Sequence, residues 1–236
     1  MSSPMKIITI DGPAGAGKST AARRLAKILN LSYLDTGAMY RALTLKALRK
    51  KIPLEDEAKL LELAEATTID LKDHPNGMKV LLDGEDVSEE IRSLEVTNNT
   101  FYIARSPRVR EVMVKWQREI GKQKGVVAEG RDLGTVVFPH AAKKFYLDAD
   151  LVERSRRRIK ELEAKGNHVN DQKLLEELKE RDRKDMTRKS GPLKQAEDAI
   201  FINSTNLSID GVVKEMLKQI NSESVSIGSG RFGVKK

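Results

Sequence analysis

The stretch Ile10-Asp11-Gly12-Pro13-Ala14-Gly15-Ala16-Gly17-Lys18-Ser19-Thr20 constrains this chain more than any other. Gly12, Gly17, Lys18 and Ser19 have the spacing G-x-x-x-x-G-K-[ST] of a phosphate-binding loop. The loop follows residues 6–10, an apolar run that reads as a buried strand. It precedes residues 20–29, whose Ala22, Leu25, Ala26 and Leu29 recur at helical spacing. Glycines give the loop the dihedrals and the close approach that let consecutive backbone N–H groups face an anion. The following helix turns its positive end on the same point. Lys18 adds a full charge for outer phosphates, and Ser19 a hydroxyl suited to Mg²⁺. The strand before and the helix after make a ligand-free glycine turn the weaker reading.

The pattern continues as an α/β chain. A strand is expected at residues 31–34, and a helix from about Ala38 carries Tyr40, Leu43, Leu45, Ala47 and Leu48. Short strands at 67–71 and 79–82, joined by the turn signal His74-Pro75-Asn76-Gly77, then interrupt that order and read as a β-rich insertion. Ser106-Pro107 reads as the cap and first-turn proline of a helix to residue 120. Strands are expected at 125–128, 143–147 and 199–202. Two charged helices at 151–164 and 171–184 flank the turn Gly166-Asn167, and a last helix spans 208–220. Residues 221–236 are Ser/Gly-rich and aperiodic, and read as a flexible tail.

With 236 residues the chain is long enough to bury a sizeable core. It has no cysteine, which removes disulfides and thiolate metal sites. No apolar run approaches the roughly 20 residues of a membrane span, and the opening MSSPMK lacks the apolar core of a secretory signal. A cytoplasmic protein without a membrane partner is expected. The net charge of +8 admits three readings: nucleic-acid binding, arginines lining a pocket for phosphorylated small molecules, or a solvated helical surface. Aromatic residues are only 4%, too few for base-stacking platforms, so the nucleic-acid reading ranks last.

Arginines recur at strand ends and on helices that could face a cleft: Arg41, Arg110, Arg131, Arg154, Arg157, Arg158, Arg181 and Arg188. Gly130-Arg131-Asp132 directly follows a buried strand, the edge at which parallel sheets bind ligands. Arg23, Arg24 and Arg49 read as solvated. In residues 153–167 Glu153, Glu161 and Glu163 interleave with the arginines, three of which stand together at Arg156, Arg157 and Arg158. This suits a closing lid better than a nucleic-acid patch.

The segments IDGPAGAGKST, YLDTGAMYRA, GEDVSEEIRS, VVAEGRDLGTVVFPHAAKKFYLDAD, RDRKDMTRKSGPL and NSTNLSIDGVV together resemble bacterial cytidylate kinase, in order from about residue 6 to 220. GRDxGTVVFP and RDxxDxxR are more specific to that family than the phosphate loop. The resemblance implies a P-loop nucleoside monophosphate kinase fold: a parallel sheet flanked by helices, with a small β-rich monophosphate-binding insertion (about 60–100) and a helical lid (about 151–184). It implies one such domain over residues 1–220, a tail at 221–236, and a monomer. It also implies ATP-dependent phosphorylation of CMP and dCMP with Mg²⁺.

On that resemblance Gly12, Pro13, Ala14, Gly15, Ala16, Gly17, Lys18, Ser19 and Thr20 match the ATP loop, with Ser19 toward the metal. Thr36, Arg41, Arg131 and Arg188 match residues near the acceptor phosphate. Arg110 and Asp132 match cytosine readers, and Arg181 and Asp185 match sugar contacts. Lys18, Arg131, Arg188 and the lid arginines Arg154, Arg157 and Arg158 are the catalytic candidates. There are two departures. Phe101 stands where the family has a serine at the acceptor nucleoside, with Thr100 beside it expected to point elsewhere. Glu129 stands where relatives often carry the aspartate that organises Mg²⁺-bound water. Other acceptors (UMP, shikimate, a nucleoside) stay open, as does a P-loop nucleic-acid-binding ATPase. A regulatory GTPase would need an N-K-x-D motif, which is absent.

Overall fold

The computed structural model describes residues 6–74, 77–164, 166 and 170–226. Five strands form a parallel sheet in the order β2-β6-β1-β7-β8. They are β1 (Ile7–Asp11), β2 (Ser32–Asp35), β6 (Val126–Gly130), β7 (Lys143–Asp148) and β8 (Ile200–Asn203). β1 lies at the centre because its residues are apolar on both faces, as a doubly covered strand requires. Ile8 and Ile10 pack with Val127, Phe145 and Leu147 against helices α1 (Lys18–Leu29) and α8 (Ile209–Ser226). Val126 and Ala128, one residue out of phase with Val127, face the other layer. That layer comprises α2 (Thr36–Arg49), α3 (Glu57–Glu65) and α5 (Pro107–Gln123). Burying each large aliphatic side chain here is worth roughly 1.5–3 kcal/mol.

A second, antiparallel sheet holds β3 (Ile69–His74), β4 (Gly77–Leu82) and β5 (Glu85–Asp86), and packs through Val80 and Leu82 on α2. The helix α4 (Leu94–Arg105) leads from it back to the core, while α6 (Leu151–Glu163) and α7 (Asp171–Thr187) pair through Leu162, Leu174 and Leu178. Ala14 of the phosphate loop packs into that same apolar cluster, which ties the helical pair to the loop.

Several expected boundaries move. The β6 strand runs on to Gly130, and α3 was not foreseen. Ser106 sits at the α5 N-cap with Pro107 following, but its side chain makes no capping bond and its Oγ is buried without a partner. The last helix extends to Ser226, so residues 221–226 are helical rather than tail. Residues 227–236 of the expected tail, the turn at Pro75-Asn76 and Asn167 of the second turn lie outside the described residues.

Candidate active site

Parallel register sets the site. Asp11 is level with Gly130, and Asp35 with Glu129, so β1, β2 and β6 end on one line. The loops that leave this edge are the phosphate loop, the start of α2 and Arg131-Asp132. They line a cleft of about 840 Å³ together with α4, α6 and α7.

In the phosphate loop Gly15 (φ 77°) and Gly17 (φ 91°) are left-handed. Gly17 occupies the α1 N-cap with no side-chain capping bond, which leaves the first N–H groups of α1 for a ligand. Gly12 is needed for a different reason. A Cβ there would overlap the Leu147 carbonyl oxygen, so the glycine lets β1 and β7 close up. Ala14 to Thr20 line the cleft; Gly12 and Pro13 are buried beneath it, and the Pro13 carbonyl accepts from Lys18 Nζ at 2.6 Å. Burial, then Arg131 and Arg181, lower the Lys18 pKa to about 7. Ser19 is exposed in the cleft, where its hydroxyl helps favour the charged form of Glu129. Burial first, and Asp35 next, push the Glu129 carboxyl up, while the Tyr33 hydroxyl donates to it.

At the acceptor side Thr36 Oγ1 donates to the Glu129 carbonyl at 2.7 Å, and Asp35 caps α2 through the Ala38 N–H. Arg41 reaches Asp35 at 3.0 Å, and its Nε is buried with no partner. Arg131 Nε donates to Asp185 at 2.8 Å. Burial alone would raise the Asp185 pKa, but Arg131 and Arg181 draw it below the ordinary value. Arg181 is lowered to about 10 by burial, with Arg131, Arg41 and Arg158 acting the same way and only Asp185 prominently opposed. Arg110 is buried under the cleft: it bonds Asp132, the Tyr40 hydroxyl at 3.0 Å and Ser190 Oγ at 3.2 Å. Arg188 approaches the other Asp132 oxygen at 3.3 Å. Burial still holds the Asp132 carboxyl above its ordinary pKa.

The lid arginines divide. Arg158 lines the cleft and pairs with Glu161 at 2.7 Å. Arg157 also lines it, donating to Ser204, whose hydroxyl donates to the Ala16 carbonyl at 3.1 Å. Arg154 instead lies buried behind the loop. It bonds the carbonyls of Ala149 (2.9 Å) and Ala14 (3.1 Å) and the Asp182 carboxylate (2.6 Å). Phe101 is turned onto Tyr102, Arg105 and Lys184, while Thr97, Thr100 and Ala104 line the cleft from α4. The expected orientation of Thr100 is thus reversed. Arg23 is exposed, as expected, though it also lines the cleft with its Nε on the Ser19 carbonyl, and Arg24 and Arg49 form exposed pairs. Tyr40, Arg92 and Arg156 also reach the cleft unforeseen; Tyr40 had a signal in its place directly before Arg41.

So many cations around a loop built for phosphate define a P-loop kinase. Structural likeness agrees at the level of fold. A gluconokinase from Sinorhizobium meliloti 1021 superposes with TM-score 0.51 at 13% identity, covering 96% of this chain and 98% of that one. Among sequences, the family model for cytidylate kinase matches residues 8–222. A cytidylate kinase of Caldanaerobacter subterraneus subsp. tengcongensis is 50% identical over 217 residues, 92% of this chain and 95% of its own. Another, from Desulforamulus reducens, is 53% identical over 214 residues, 90% and 95% of the two chains. The chain belongs to the cytidylate kinase family.

Proposed function

We propose that this protein transfers the γ-phosphoryl group of ATP to CMP and dCMP, giving CDP and dCDP. The observation that carries the reading is the convergence of Lys18, Arg131 and Arg181. All three line one cleft; the two arginines disfavour the charged form of Lys18, and Asp185 and Glu129 are acids that offset them. Such a cluster needs anions, and two facing phosphate groups supply them. ATP lies along residues 14–20. The acceptor phosphate meets Arg41, Arg131 and Arg188, with Thr36 beside it and Arg181 and Asp185 toward the sugar. Catalysis is then in-line positioning plus neutralisation of charge on the transferring group. The chain supplies no covalent nucleophile, because the acceptor oxygen attacks phosphorus directly.

Mg²⁺ is implied, and the donor set fits it: the Ser19 hydroxyl beside two cleft carboxylates, Asp35 and Glu129. Among the described residues there is no group of three or more His, Cys, Asp or Glu that could hold a metal ion; nucleotide phosphates would supply the remaining oxygens for Mg²⁺. Bound there, the ion would neutralise phosphate charge. Residues 60–100 act as the acceptor-binding insertion and 151–184 as the lid, in which Arg157 and Arg158 act directly and Arg154 braces the loop.

A monomer is the proposed working unit, and ATP with CMP as substrates supports a cytoplasmic site. No helix among the described residues is long and apolar enough to cross a membrane. Lys18, Arg131, Arg181 and Arg188 turn inward to the cleft, which favours small phosphorylated ligands over nucleic acid.

The acceptor is tested by kcat/KM for CMP, dCMP, UMP and AMP. Asp132 accepts from the cytosine amino group and Arg110 donates to N3 or the adjacent carbonyl. Uracil sets a carbonyl against Asp132 and an N–H against Arg110, a mismatch of about 1–3 kcal/mol per contact, so CMP should exceed UMP by at least about tenfold, and Asp132→Ala should erase the gap. Equal use of CMP and UMP by the unaltered protein removes the base-reader assignment. Activity on AMP alone removes the proposed function.

A further inference from the structure

Asp132 occupies the N-cap position of the short π-helical turn Leu133–Val137, yet makes no capping bond to it. An aspartate there would ordinarily turn its carboxylate back onto the first free N–H groups. Here that carboxylate is given to Arg110 and Arg188. The turn's leading N–H groups are satisfied from another strand. Asp11, the last residue of β1, accepts from the Leu133 N–H at 2.9 Å through Oδ1 and from the Gly134 N–H at 2.8 Å through Oδ2. Asp11 is 4% exposed, and these bonds span 122 and 123 residues of chain. The contact is close-packed as well. A Cβ at Gly134 would lie 3.1 Å from Lys144 Cδ and 3.4 Å from Asp11 Oδ2.

We propose that Asp11 is a positioning residue for the acceptor base: by capping the Leu133–Val137 turn in place of Asp132, it leaves the Asp132 carboxylate to Arg110 and Arg188, which hold it at the base end of the cleft. A buried donor left without an acceptor is costly. Without Asp11 the Leu133 and Gly134 N–H groups lose their acceptor, and the Asp132 carboxylate, at the N-cap position, would have to leave Arg110 to replace it. Asp11 directly precedes Gly12, so one residue sets the height of the base-reading loop against the phosphate loop. The inference rests on the proposed reading of Asp132 as a base contact.

The test compares Asp11→Asn, Asp132→Asn and the double variant. Asparagine keeps the size of Asp11 but can accept through one oxygen only. In Asp11→Asn the KM for CMP should rise at least tenfold, with kcat changed less than threefold. The Kd for ATP, measured by calorimetry on the acceptor-free protein, should change less than threefold. The double variant should be no worse than Asp132→Asn alone, because both changes remove one device. Additive losses, or equal weakening of ATP and CMP, would overturn the proposal. If Asp11→Asn does not fold, amide hydrogen exchange in the unaltered protein decides. Leu133 and Gly134 should exchange as slowly as the β1 amides, and fast exchange at both would overturn it. If the unaltered protein used a different monophosphate, the proposed function would fall. The same three variants assayed with that monophosphate would still decide whether Asp11 positions the loop.

Discussion

Gly191 offers a perturbation whose size follows from geometry. It has φ 57°, is buried, and its carbonyl accepts from Arg188 Nε at 2.5 Å. A Cβ added there would overlap both Arg110 Nη2 and Asp132 Oδ2 and lie 2.6 Å from Arg110 Cζ. Neither neighbour can retreat cheaply: Arg110 is also tied to Tyr40 and Ser190, and Asp132 to Arg188. Gly191→Ala therefore adds left-handed strain of about 1–2 kcal/mol to separation of a buried ion pair, about 3–5 kcal/mol. At roughly 2–4 °C per kcal/mol for a chain of this length, Tm should fall by about 10–20 °C. Two base contacts at about 1–3 kcal/mol each set the loss in acceptor binding, so the KM for CMP should rise at least about 30-fold. ATP binding, on the far side of the cleft, should change little. The control is Gly84→Ala: Gly84 has φ 89° but nothing within 4 Å of the added carbon, so it incurs strain alone. Calorimetric Tm and steady-state kinetics of the two variants are the assay. A Gly191→Ala protein with the Tm loss of Gly84→Ala and an unchanged KM for CMP would refute the reasoning.

Lys18→Ala should lower kcat by at least about 10²-fold without lowering Tm, because burial already disfavours the charged lysine in the empty site; near-normal turnover would contradict the loop assignment. Arg154→Ala strands the Asp182 carboxylate, whose Oδ1 already lacks a partner, at about 3–5 kcal/mol, so it should lower Tm by about 10 °C. Arg158→Ala should leave Tm within about 2 °C, since partly exposed pairs contribute little, and lower kcat instead; a reversed order in paired melts and rates would remove the distinction. Burial pushes the Asp11 carboxyl up to about 6 from 3.8. A raised carboxylate means that the folded state binds more protons, so this group's contribution to stability grows as pH falls from about 6 toward 4. Its ionisation at neutral pH costs on the order of 3 kcal/mol. Urea melts between pH 4 and 7 should show that slope in the unaltered protein and lose it in Asp11→Asn; parallel profiles would refute it.

The amino-acid sequence by itself determined the central strand, the phosphate loop and the parallel α/β order. These rest on local chemistry: apolar runs, glycine spacing and helical periodicity act over a few residues, and β1, the loop and α1 fall close to where that chemistry puts them. Family resemblance carried the family identity and named most of the arginines. Tertiary structure alone decided what each of them touches. Arg154 and Arg158 lie one turn apart on the same face of α6, yet the first meets Ala14 and Asp182 and the second reaches the cleft. Thr100 and Phe101 change places because the rotation of α4 relative to the core is set by packing rather than by composition. Asp11 reads in sequence as the end of a strand before a glycine. Only parallel pairing of β1 with β6, between segments more than a hundred residues apart, brings its carboxylate under Leu133 and Gly134. A hydrogen bond across that separation leaves no periodic trace in the chain, and folding has to create it.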